Sequence, residues 1–175
     1  SNQHLTGLRD GPRHFGNGEG FWTTWIESKS CAHNATLSKI KDTRGMRTAL
    51  VQFASSLDPE SNMETIRDML APLNSEDVDL VVLPEAAMCD FGKPSFDVVP
   101  VAQELDGPFV QFLASEAKRL NAHIVAGMFE THQAKPFNTL VVLNPEGILQ
   151  GHYRKIHLFD SFGYRESDRF TPGEL

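Results

Sequence analysis

Glu85 closes the run Asp79-Leu80-Val81-Val82-Leu83-Pro84-Glu85, a position where a carboxylate could do chemistry. A stretch of β-branched residues and leucines reads as a strand buried on both faces, and the proline cannot continue a ladder, so the chain must turn there. Ligands of open α/β sheets bind at that edge, outside the carboxyl ends of the strands. The competing reading is a solvated loop residue, since glutamates are seldom buried unless paired. Seventy residues on, Lys155 lies in Tyr153-Arg154-Lys155-Ile156-His157-Leu158. Spacing alone leaves it open between an exposed lysine at a hairpin end and a site residue.

Other reactive side chains carry less. Cys89 follows Glu85 by four residues on the broken stretch Ala86 to Pro94, and there it reads as a small buried hydrophobe rather than a nucleophile. Cys31 and His33 are too close and too few for a zinc site. His152 and His157 stand an odd number of residues apart near a strand, so they face opposite ways, and no metal is expected. Gly16 to Gly20 lacks the lysine of a phosphate-binding loop and no strand precedes it, so it reads as a flexible loop. No cofactor is expected.

The elements that must position Glu85 and Lys155 alternate strand and helix. Thr48 to Phe53, Asp79 to Leu83 and His123 to Phe129 read as strands, the last ending at Glu130, which reads as a rim or turn residue. Asp58-Pro59-Glu60 starts a helix with an N-cap, a proline in the first turn and an acid near the positive end of the dipole. Met63, Ile66, Leu70 and Leu73 give it one apolar face. Gly107-Pro108 starts a second helix, with Val110, Leu113, Ala114, Ala117 and Leu120 on one face and Asn121 as C-cap. Phe137 to Leu143 and Ile148 to Arg154 form a hairpin around Asn144-Pro145-Glu146-Gly147. The class is α/β with an antiparallel part.

Several segments stand in one order along the chain: Arg47 to Phe53, Leu83-Pro84-Glu85, Phe137-Asn138-Thr139, Tyr153 to Leu158, Glu166-Ser167-Asp168 and Pro172-Gly173. From about Met46 to Leu175 the chain resembles the nitrilase superfamily of carbon–nitrogen hydrolases, its amidase branch most closely. The resemblance implies part of a four-layer α-β-β-α sandwich with the C-terminal portion missing. It implies Glu85 as general base, Lys155 facing the oxyanion, and Glu166 holding the lysine or positioning substrate. It also implies a nucleophilic cysteine on a strand-to-helix elbow after the lysine, which this chain ends too early to contain. The reading is an amidase-like hydrolase of small non-peptide amides or nitriles whose polypeptide, taken alone, does not turn over. The alternative is a non-catalytic homologue or fragment that binds or oligomerises, so whether this chain is an enzyme stays open. A shortened enzyme using Cys89 needs a geometry the sequence does not suggest.

Composition narrows the setting. With 175 residues, 40% hydrophobic and 22% charged, the chain reads as one soluble domain. No apolar run approaches the ~18 residues of a membrane span, and residues 1 to 30 lack the apolar core of a secretory signal. Two distant cysteines make no disulfide framework, which favours a reducing cytoplasm. A net charge of −7 argues against a nucleic-acid partner. Homo-oligomers are common in the resembled family, so one is expected. Charge divides at Met46: residues 1–45 hold six Lys/Arg and four Asp/Glu, leaving ten against nineteen beyond. Residues 1–45 therefore read as an appended, mostly irregular segment, either a natural extension or, as the family-like pattern beginning at Arg47 favours, upstream sequence with Met46 the natural start, and 46–175 as the N-terminal portion of the hydrolase domain.

Overall fold

The structure, a computed structural model, describes residues 25–31, 35–41 and 45–175, with side chains from residue 45 onward. Trp25–Cys31 (β1) and Ala35–Lys41 (β2) form an antiparallel hairpin laid against Arg47–Gln52 (β3). The segment read as mostly irregular thus carries two strands, and its glycine-rich run and Cys31–His33 pairing lie wholly or partly outside the described residues. A strand at a sheet edge is held by its backbone ladder, and its sequence needs no clean apolar alternation.

From β3 onward the predicted order is found. Pro59–Leu70 (α1) leads to Leu80–Val82 (β4), parallel to β3, and Pro108–Leu120 (α2) leads to His123–Glu130 (β5), parallel to β4. Phe137–Leu143 (β6) and Leu149–Arg154 (β7) then add antiparallel, completing a sheet ordered β1-β2-β3-β4-β5-β6-β7. Asp58 caps α1 by accepting from the N–H groups of Glu60 and Ser61, at 3.3 and 3.2 Å. Asn121 ends α2 in the left-handed region, with φ 49°, a conformation that asparagine tolerates better than most residues.

Both helices cover one face of the sheet. Ile66 and Leu70 of α1 and Phe109, Leu113, Ala117 and Leu120 of α2 are fully buried with Ala49, Val81, Ile124, Ala126, Val141 and Leu143 from alternate strand positions. Each such leucine, isoleucine or phenylalanine contributes about 1.5–3 kcal/mol. The opposite face carries Leu50, Val82, Val125 and Val142 in register, with Leu140 and Tyr153 beside them. Leu50, Leu140 and Tyr153 are 36%, 39% and 52% exposed, so this face is apolar yet uncovered.

Past β7, Asp160–Ser161 (β8) and Tyr164–Arg165 (β9) make a small hairpin that leads into a single 3-10 turn, Glu166–Asp168. Among the described residues no helix is long and apolar enough to cross a membrane, and no group of three His, Cys, Asp or Glu is arranged to hold a metal.

Candidate active site

Glu85 stands three residues beyond the end of β4, on a turn whose path is set by the neighbouring strand. The Pro84 carbonyl accepts from the N–H of Gly127 at 3.2 Å, and the Met88 N–H donates to the Gly127 carbonyl at 3.3 Å. The turn thereby lies directly on β5. A Cβ at position 127 would come 1.7 Å from the carbonyl oxygen of Glu85, so only glycine admits the approach.

Lys155 follows the last residue of β7. Its N–H donates to the Asn138 carbonyl at 2.8 Å and its own carbonyl accepts from the Gly173 N–H at 2.9 Å, clamping the lysine backbone between β6 and the C-terminal segment. Glycine is again required: a Cβ on Gly173 would meet the Arg154 carbonyl oxygen at 2.4 Å. Glu166 is brought in by the small hairpin, and its Oε2 accepts the Phe159 N–H at 2.7 Å.

These three elements deliver their charges to one point. The Lys155 ammonium donates to Glu85 Oε1 at 3.0 Å and lies 3.0 Å from Glu166 Oε2. Beneath them, Asn138 Nδ2 donates to Glu85 Oε1 at 2.8 Å and to Glu166 Oε1 at 3.0 Å. The two glutamates are differently placed: Glu166 is 2% exposed, whereas Glu85 is 54% exposed. Burial alone would push the Glu85 carboxyl up, but hydrogen bonds from Lys155 and Asn138, with the lysine's charge, hold it below the usual range. Burial likewise works against the Lys155 ammonium, and the two glutamates outweigh it, raising its pKa.

Glu85, Lys155 and Glu166 line a cavity of about 380 Å³ whose walls are Phe91, Phe159 and Tyr164. Arg169 fixes two of those walls. Its guanidinium donates to the Phe91 and Phe96 carbonyls at 2.6 and 2.8 Å and to the Tyr164 hydroxyl at 3.2 Å. Phe91 also packs on Phe129 and Phe170, with ring centroids 5.3 and 5.7 Å away. The irregular stretch after Glu85 is thus a wall of the cavity.

Cys89 is not part of it. The residue is fully buried, with Sγ near the Asp90 and Leu57 carbonyls at 3.3 and 3.5 Å. Burial pushes its thiol up to about 11, and the charges of Asp90 and Asp58 add to the shift. A thiol in that state is a poor nucleophile.

Glu130 corrects the sequence reading. It is no rim residue: β5 runs one residue further than predicted, and Glu130 is 4% exposed at its end. There it accepts from Thr139 Oγ1 at 2.7 Å and from Arg154 through both carboxylate oxygens. Alternation explains the two clusters. Asn138 pairs with Phe129 and Thr139 with Met128, so consecutive residues of β6 feed opposite faces, Asn138 towards Glu85 and Thr139 towards Glu130. A second hollow, about 370 Å³, includes Phe137 and Arg154 and contains none of Glu85, Lys155 and Glu166.

Comparison with known proteins agrees with this architecture. The carbon-nitrogen hydrolase profile matches residues 47–175, and the chain belongs to that family. A hydrolase of Mycobacterium tuberculosis is 37% identical over 131 residues, 73% of this chain and 46% of the relative. A nitrilase of Pyrococcus abyssi is 34% identical over 133 residues, 74% of this chain and 49% of the relative. Among solved structures, a CN-hydrolase superfamily protein of Xanthomonas campestris with an arsenic adduct in its active site superposes with a TM-score of 0.64 at 34% identity. That match covers 74% of this chain and 47% of the other. A variant of the Nesterenkonia sp. AN1 amidase, carrying the acetamide moiety of fluoroacetamide on its active-site cysteine, gives a TM-score of 0.62 at 25% identity. It covers 74% of this chain and 49% of the other. This chain spans about half the length of the relatives it matches.

Proposed function

We propose that the chain carries the acid–base half of an amidase-like site that hydrolyses a small non-peptide amide to an acid and ammonia. The observation that carries the proposal is the Lys155 ammonium held 3.0 Å from both Glu85 and Glu166 at the floor of an open cavity. Membership of the carbon-nitrogen hydrolase family supports the reaction class. The covalent adduct on the active-site cysteine of the Nesterenkonia amidase supports a thiolate nucleophile.

Hydrogen-bond capacity supports the proposed roles. Glu166 Oε2 accepts from Phe159 and faces Lys155 while Oε1 accepts from Asn138, so this buried carboxylate has little capacity left for substrate. Glu85 takes both of its described bonds on Oε1, leaving Oε2 for proton transfer. A lysine ammonium has three donors, and two are aimed at the glutamates. The third is left for an oxygen in the cavity. In the reaction Glu85 takes the thiol proton as sulfur attacks the amide carbon, and the carbonyl oxygen gains charge beside Lys155. The C–N bond then breaks as Glu85 passes its proton to nitrogen, and ammonia leaves. Water attacks the thioester, Glu85 takes its proton, and the C–S bond breaks as that proton passes to sulfur, releasing the acid and restoring the thiol and the Glu85 carboxylate.

The described cavity lining holds no cysteine, and Cys89 is buried away from it. The polypeptide 1–175 alone is accordingly expected to release no ammonia from primary amides. Steady turnover by 1–175 that Cys89→Ser abolishes would refute this assignment. A second reading, a non-catalytic module for assembly, is favoured by the uncovered apolar face bearing Leu50, Leu140 and Tyr153. Sedimentation of 1–175 as a monomer across a hundredfold range of concentration would remove it.

A further inference from the structure

We propose that Asn138 is a positioning residue of this site, whose two amide hydrogens clamp Glu85 and Glu166 together beneath one lysine. Two carboxylates that approach the same ammonium repel each other, and one cation cannot neutralise both. Asn138 supplies what is missing. Its side chain is 4% exposed, and each of its two Nδ2 hydrogens has a carboxylate to meet, at 2.8 Å on Glu85 and 3.0 Å on Glu166. The opposite amide orientation would aim a carbonyl oxygen at both carboxylates, so chemistry fixes the assignment. The same residue also sets the lysine: its backbone carbonyl accepts the Lys155 N–H at 2.8 Å. One position on β6 therefore holds all three charged groups. With both hydrogens committed, Asn138 has none left to donate to a substrate, which makes it a positioning and not a catalytic residue.

The role is separable from general packing. Thr139, the next residue, serves Glu130 on the other face of the sheet, so a change confined to Asn138 should leave Glu130 alone. Described charged groups facing Glu85 are Lys155 and, across the lysine, Glu166; Phe91, Phe159 and Tyr164 complete the surround.

This inference rests on Glu85 acting as the base, yet its test reads no turnover, so the two fail separately. Carboxyl carbons of 1–175 are titrated by NMR in the native chain and in Asn138→Ala. The expected result is an upward shift of the Glu85 midpoint with the Glu130 midpoint unmoved; an unchanged Glu85 midpoint in a folded variant overturns the proposal. Should Asn138→Ala not fold, the native chain still decides. Both Nδ2 protons of Asn138 should follow the Glu85 titration, and protons indifferent to it overturn the clamp.

Discussion

Gly127 and Glu85 touch through their backbones: a single added carbon at position 127 would overlap the Glu85 carbonyl oxygen at 1.7 Å. Glu85 is thus seated by a neighbouring strand, with the Pro84 carbonyl and Met88 N–H bonded to Gly127 on either side of it. Gly127→Ala should lift the turn off β5 and cost about 3 kcal/mol, the upper end of ordinary overpacking penalties. Gly151 in β7 is the control, since a Cβ there meets nothing within 4 Å. Gly151→Ala should change stability by less than about 1 kcal/mol. Urea unfolding of the two variants checks both expectations.

Lys155→Ala removes the cation that Glu85 and Glu166 share. The Glu85 carboxyl is held low in the native chain against the pull of burial, so removing the lysine should raise it. In a polypeptide that turns over, the acid limb of the rate profile would lie below the ordinary glutamate range and move to higher pH in the variant. With Lys155 as the proposed oxyanion donor, rates should fall by about 10²–10³. A pH–rate profile with the limb unmoved would contradict the assignment.

The Glu130–Arg154 pair serves the fold, on the helix-covered side of the sheet. Hydrogen bonds and the Arg154 charge overcome burial and hold the Glu130 carboxyl below its ordinary range. A depressed folded pKa contributes stability that is fully present above the unfolded value and is lost as pH falls through the folded one. Arg154→Met should therefore destabilise by about 2 kcal/mol near neutrality, where a buried carboxylate loses its partner. The difference should shrink in acid. Denaturant melts at pH 7 and pH 3 test the sign.

Cys89 should behave as an inert core residue. With the thiol fully buried and pushed up to about 11, a Cys31→Ser chain should react with a disulfide reagent at pH 8 only after denaturant is added. Rapid labelling of the native chain would reopen Cys89 as a nucleophile.

Where side chains follow simple patterns, the sequence made them legible. The apolar run ending in Pro84-Glu85, the helix caps at Asp58 and Asn121, and the buried faces of α1 and α2 all rest on local chemistry that a linear reading captures. Glu130 misled because its partners are 9 and 24 residues away, and pairing alone makes a buried glutamate tolerable. Asn138 was visible as part of Phe137-Asn138-Thr139, but its role depends on the pairing of β5 with β6, which fixes the face it occupies. A polar residue within an otherwise apolar strand was the available signal. The β1–β2 hairpin had no such signal, because its pairing partner β3 lies outside its own sequence and its strands are largely polar.

Glu85, proposed as the base of an amide-hydrolysing site, should control ammonia release. Ammonia release from a panel of small primary amides, measured on a polypeptide in which residues 47–175 are followed by a cysteine-bearing second half of the fold and on its Glu85→Gln variant, is the decisive measurement. Release by the parent and a loss of about 10²-fold or more in the variant are expected. No release by the parent, or release that survives Glu85→Gln, would contradict it.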